Sequence, residues 1–196
     1  VIEDLAGRVK TVREEIDFAL GYCDIANVIV DELNHGKIPM RVTHNDTKIN
    51  NILFSKDTGE AIAVIDLDTV MSGSALYDFG DALRIGASSA TEDETDLDKV
   101  YFNVDYFKAF LRGYMEVMGA YLKAREIELL AFSPMLMTYE CGIRFLTDYL
   151  NGDTYFKIHR KNHNLDRARN QFKLVYDIDK KQEELNNIVK EMIKWE

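Results

Sequence analysis

Apolar residues recur at steps of three and four along residues 8–35: Val9, Val12, Ile16, Ala19, Cys23, Ala26, Val30 and Leu33. Glu14, Asp17, Asp24, Asn27 and Asp31 fill the other faces. That period predicts one amphipathic helix, stopped by His35-Gly36 with Pro39 beyond. The pattern then changes. Two short apolar runs, residues 52–54 and 61–65, flank Ser55-Lys56-Asp57-Thr58-Gly59-Glu60. Small polar residues followed by a glycine predict a turn, and the two runs predict a β-hairpin. The helical period returns afterwards. Asp78 is expected to cap a helix running to Gly86. Asn103 or Asp105 is expected to cap the next, and a short helix to follow over residues 123–130. Ser133-Pro134 predicts a helix start with Ser133 as its cap, ending at Asn151-Gly152. This helix is apolar nearly all round except at Glu140, Arg144 and Asp148, which share one stripe. A charged stripe on a buried helix needs partners, so it predicts a pocket wall; an exposed salt-bridge ladder is the competing reading. A last helix, capped by Asn164, is expected to reach about Lys194. Residues 69–76 read as loop.

The hairpin matters because of what lies at its ends. Asp46 and Asn51 precede the first strand, five positions apart, and Asp66 closes the second. Folding the hairpin brings these oxygen-bearing side chains towards one point. Phosphoryl transfer needs a carboxylate to orient the attacking hydroxyl and oxygen ligands to hold Mg²⁺ on nucleotide phosphates. Protein kinases use an Asp followed five positions later by an Asn, then a second Asp. Lys48 stands ready to neutralise charge on the moving phosphoryl group. Taken alone, His44-Asn45-Asp46 reads more readily as an Asx turn entering a strand. Asn51, the hairpin and Ile65-Asp66-Leu67-Asp68, all in order, favour the chemical reading. Asp68 is left open between a contact to metal or substrate and a cap.

Bulk properties narrow the picture. The chain has 196 residues, 46% of them hydrophobic, which is one domain or one large lobe. Its net charge of −10 argues against nucleic acid and against an anionic membrane. No apolar run approaches a membrane span and no signal peptide is visible, so a cytoplasmic location is expected. Cys23 and Cys141 lie in helical patterns and are expected as free, buried thiols. The acidic run Thr91-Glu92-Asp93-Glu94-Thr95-Asp96 reads as a solvated connector.

His44-Asn45-Asp46, Asn51 and Ile65-Asp66-Leu67-Asp68 together resemble the aminoglycoside phosphotransferase and choline kinase superfamily of small-molecule kinases. The resemblance implies an α+β, protein-kinase-like fold: a mostly helical C-terminal lobe with a small β-hairpin at the active site. It implies that Asp46 is the catalytic base, that Asn51 and Asp66 bind Mg²⁺, and that ATP is the co-substrate. Asp78-Phe79-Gly80 spells the protein-kinase metal triplet but stands twelve residues past Asp66. The family places a Tyr-Asp there to brace the catalytic loop, which gives Asp78 a bracing role beside His44. The stretch from Glu140 to Phe156 is most similar to the N-acetylhexosamine 1-kinase branch. In that branch an Arg and a later Tyr bind the sugar; by position these are Arg144 and Tyr155, with Asp148 beside them. A choline- or aminoglycoside-type kinase and an inactive, sugar-binding lobe remain the alternatives. No Gly-rich phosphate loop or Lys-bearing strand precedes His44. Residues 1–196 are therefore expected to be a C-terminal lobe whose N-terminal, ATP-binding β lobe lies outside this sequence, and to be inactive alone.

Overall fold

Two glycines on two helices set the spacing of the whole core. In the computed structural model, which describes residue 4 and residues 6–193, α6 (Ser133–Leu150) packs against α3 (Ala75–Gly86) and along α7 (His163–Ile193). A Cβ at Gly80 of α3 would lie 2.5 Å from the Ser133 carbonyl oxygen, and one at Gly142 of α6 would lie 2.7 Å from the Phe172 ring. Both helix pairs thus approach closer than any side chain allows. Around them Leu76, Phe79, Leu83, Leu136, Leu174 and Ile178 bury fully or nearly so, joined by Phe107 and Leu111 of α4 (Val104–Met118). Each such side chain contributes about 1.5–3 kcal/mol by leaving water. A second cluster, including Val12, Phe145, Leu146 and Phe172, ties the N-terminal segment to α6 and α7.

The N-terminal segment is not one helix. A 3-10 turn (Val9–Thr11) precedes α1 (Arg13–Gly21), and a second (Cys23–Asn27) separates it from α2 (Val28–Asn34). The break follows Gly21, a weak helix former, at Tyr22 (φ −104°, ψ 6°). Tertiary contacts hold Tyr22 there: its ring stacks on Phe18 and its hydroxyl donates to Asp179 of α7 at 2.9 Å. Cys23 is consequently exposed rather than buried.

Three predicted caps move. Ser74, not Asp78, caps α3, its Oγ accepting from the Leu76 amide. Ser133 sits inside α6 and donates to the Leu130 carbonyl, with Pro134 in the first turn. Asn164 lies buried within the first turn of α7, donating to Asp148 and Asp153 instead of capping. Asn103 caps α4 as one of the two expected candidates, and α5 is short (Ala124–Glu128). The expected end of α7 near Lys194 lies outside the described residues.

The β structure gathers at one edge. The predicted hairpin forms from β2 (Ile52–Phe54) and β3 (Ala61–Val64), antiparallel, with Ile52 opposite Val64. A second ribbon pairs β1 (Arg41–Thr43) with β4 (Met71–Gly73), whose residues had read as loop. Glycine is needed at position 73, since a Cβ there would meet the Thr43 hydroxyl at 2.5 Å. The result is a helix-rich α+β lobe carrying two small antiparallel ribbons. Among the described residues, no helix is long and apolar enough to cross a membrane.

Candidate active site

The loop between β1 and β2 is held along its backbone from three sides. Asp78, one turn into α3, accepts from the His44 and Asn45 amides, each at 2.8 Å. Asp81, three residues on, accepts from the Thr47 amide at 3.1 Å. Thr47 donates its hydroxyl to the Asp78 carbonyl, and Thr69 donates its own to the His44 carbonyl. Asn45 takes the left-handed conformation (φ 63°), which Asn tolerates better than most residues. These bonds fix Asp46 between two anchored neighbours.

Asp46 accepts from Lys48 Nζ at 2.6 Å and from Asn51 Nδ2 at 2.9 Å, both on Oδ2. Asn51 donates further to the Asp46 carbonyl at 2.8 Å. Partial burial pushes the Asp46 carboxyl up, but Lys48 and Asn51 more than offset it and hold the group below its ordinary value. The same hydrogen bond raises the Lys48 ammonium. Asp66 follows β3 in the left-handed conformation (φ 64°), with its carboxylate 4.0 Å from Lys48 Nζ. One ammonium therefore lies between the two carboxylates. His44 braces the other strand: its Nε2 lies 3.0 Å from the Ile65 carbonyl, which makes Nε2–H the donor and leaves Nδ1 buried without a partner. The Ile65 amide in turn donates to the Asn51 carbonyl. Asp68 is exposed in a 3-10 turn (Leu67–Thr69).

Among the described residues no three His, Cys, Asp or Glu side chains form a metal cluster. Asn51 and Asp66 offer an amide oxygen and a carboxylate. That hard, sparse donor set fits Mg²⁺, which keeps waters and takes phosphate oxygens for its remaining positions. It fits a transition metal poorly.

Asp46 opens onto a cavity of about 450 Å³ between α3 and α6, lined also by Tyr77, Asp81, Arg84, Glu140 and Arg144. Glu140 and Arg144 thus face a cavity, as the charged stripe predicts. Arg144 also borders an adjoining groove with Tyr155, which is 74% exposed, and its guanidinium lies 5.5 Å from the Phe156 ring centre. Asp148 lines the same groove. Its buried carboxylate accepts from the amides of Thr154, Tyr155 and Phe156 and from Asn164, so it folds the loop that carries Tyr155.

Asp81, Arg84 and Glu92 escaped the reading of the sequence. Arg84 pairs with Asp81 at 3.0 Å and with Glu92 at 2.6 Å. The acidic connector is thus anchored to α3 through Glu92. The signal for Arg84 was present: Asp78, Asp81 and Arg84 follow one another at steps of three on one face of α3. Burial pushes the thiol of nearby Cys141 up to about 12, leaving it neutral.

The model of the phosphotransferase enzyme family matches residues 7–120, a span that contains Asp46, Asn51, Asp66, Asp78 and Arg84. The match covers more than half of the 196 residues. This chain therefore belongs to the phosphotransferase enzyme family, whose members are phosphotransferases of the small-molecule kinase type.

Proposed function

We propose that this chain is the C-terminal lobe of an ATP- and Mg²⁺-dependent kinase that phosphorylates a hydroxyl of a small neutral molecule, the best candidate being the anomeric hydroxyl of an N-acetylhexosamine. The observation that carries the reading is Asp46, a carboxylate held ionised by Lys48 and Asn51 at the mouth of a cavity large enough for a sugar. Arg144 and Tyr155 support the sugar assignment. They border the cavity and its adjoining groove with a donor fork and an aromatic face.

In this reading Asp46 orients the acceptor hydroxyl and takes its proton as the new bond to phosphorus forms. Lys48 offsets charge on the transferred group. Asn51 and Asp66 would hold Mg²⁺, which supplies neutralisation of the nucleotide phosphates. His44 and Asp78 keep the loop in place. Positioning and electrostatics supply most of the rate. The nucleotide's other wall would come from an N-terminal lobe. The apolar side chains at the β edge, Val42 (83% exposed), Phe54, Ile62 and Val64, support a covering partner there.

Asp46→Asn in the two-lobed enzyme should cut turnover by about two or more orders of magnitude with little change in acceptor binding. Turnover within a few fold of the parent would remove Asp46 from the chemistry. A panel of N-acetylhexosamines, choline and an aminoglycoside, each offered with Mg-ATP, tests the acceptor.

A further inference from the structure

The floor of the acceptor cavity holds a guanidinium to which the phosphotransfer reading gives no task. Arg84 lines the cavity beside Asp46 and Arg144. Its Nε donates to Asp81 Oδ1 at 3.0 Å, and its Nη1 donates to Glu92 Oε1 at 2.6 Å and, more weakly, to Gln171 Oε1 at 3.4 Å. Among the described residues no protein acceptor meets Nη2, and Nη2 is not one of the buried unpartnered atoms. Arg84 is a lining residue of the cavity and its side chain is 11% exposed, so Nη2 is the part of the fork left for a ligand.

Two consequences follow from this placement. Arg84 lies between two carboxylates, so it offers a directional N–H without a net positive field. Such a donor suits a hydroxyl or carbonyl oxygen and gives little advantage to an anion. Asp81 also reaches the catalytic loop, because its other oxygen accepts from the Thr47 amide next to Asp46. A group held by Arg84 is thereby kept in register with the carboxylate that would take the proton. Glu92 does not line the cavity; it fixes Arg84 from behind.

We propose that Arg84 is a specificity-determining residue of the acceptor site, its Nη2 donating to one oxygen of a neutral, oxygen-rich acceptor, with Glu92 as the residue that positions it. This rests on the acceptor-cavity reading of the proposed function.

The lining residues of the cavity named above all belong to this chain, so acceptor binding is tested on the chain as it stands. Calorimetry would titrate it with N-acetylglucosamine, N-acetylgalactosamine, glucose, choline and the monodeoxy analogues of the sugar that binds best. Arg84→Lys should weaken the best neutral acceptor by about tenfold, the loss of one hydrogen bond to a charged donor. One monodeoxy analogue should bind the parent as weakly as the variant and lose nothing further in the variant. Glu92→Gln should weaken the same acceptor by roughly two- to fivefold through Arg84 alone, and its partly exposed site makes the fold safe. Thermal unfolding is followed for both. A merely structural Arg84 would lower stability and weaken every analogue alike.

Unchanged affinity in Arg84→Lys, or no analogue that couples to it, overturns the proposal and leaves the sugar-kinase reading intact. If Arg84→Lys does not fold, unchanged affinity in Glu92→Gln overturns it instead. Binding of glucose with the same coupling, but of no N-acetylhexosamine, would retain Arg84 and discard the N-acetyl assignment. Binding of choline alone, or of nothing in the panel, overturns both.

Discussion

Asp46 owes its ionisation to two neighbours acting against burial, and that balance makes a pH prediction. In the folded protein its carboxyl lies below the ordinary range, so it is charged throughout the neutral region. It loses its charge only as pH falls through that lowered value. Lys48→Met removes both the hydrogen bond and the nearby positive charge, leaving burial opposed mainly by Asn51. The acid limb of kcat/KM should therefore move to higher pH, in addition to any fall in the plateau. A pH–rate profile of parent and variant checks this; an unmoved limb would mean that another group sets it. At this scale the sequence was most informative where chemistry dictates spacing. The expected convergence of Asp46, Asn51 and Asp66 was legible in their separations, and the fold brings Asp46 and Asp66 to Lys48 and Asn51 to Asp46. The structural duty of Asp148 was not legible, because periodicity shows which face a side chain shares and not what covers it. Three backbone amides of a loop six to eight residues downstream turn back onto its carboxylate. Arg84 was missed because its partner Glu92 sits in a charge run that looks solvated.

Asp78-Phe79-Gly80 illustrates how an element can give one tripeptide two meanings. In α3 each residue has a structural duty. Asp78 accepts from the loop amides, Phe79 is buried against Phe107 and Tyr114, and Gly80 lets α6 approach. Gly80→Ala would gain helix propensity, about 1 kcal/mol. Its Cβ would, however, stand 2.5 Å from a backbone carbonyl that cannot swing aside. The clash should win and leave the protein about 1–3 kcal/mol less stable, as overpacking does. Denaturant unfolding measures it, and a stabilised variant would show that α3 and α6 can separate freely. The hairpin was legible because its turn chemistry is local. The β1–β4 ribbon was not, since three-residue strands containing Ser and Gly carry no alternation and exist only because Thr43 and Met71 meet across the chain. Residues 8–35 kept their predicted apolar face only as far as Ala19, with Val12, Ile16 and Ala19 packed inward. The break at Tyr22, held by Asp179, shifted the face beyond it, so Cys23, Ala26 and Val30 are exposed and Ile29 is buried instead.

The molecule as a whole is asymmetric: a closed helical core on one side, an apolar β edge on the other. Leu53, Phe54, Ile62 and Val64 of the hairpin and Val42 and Met71 of the ribbon are all substantially exposed. Scattered apolar residues need no explanation, but a contiguous set on short, open strands marks a surface that another element covers. The same edge carries Asp66, so whatever covers it would close over the phosphate end of the site. The proposed N-terminal lobe is the occupant that gives this edge a purpose, and a paired substitution separates it from mere stickiness. Ile62→Thr with Val64→Thr keeps β-branched residues in the strand and removes little buried area within this chain. The unfolding free energy of the chain should change by no more than about 0.5 kcal/mol, as at other exposed positions. Its self-association, followed by light scattering, should fall. In the two-lobed enzyme the same pair should raise the KM for ATP severalfold while acceptor affinity stays constant, because the nucleotide would lie between the lobes and the acceptor would not. An unaltered KM for ATP would separate the apolar edge from the nucleotide site and leave self-association as its role.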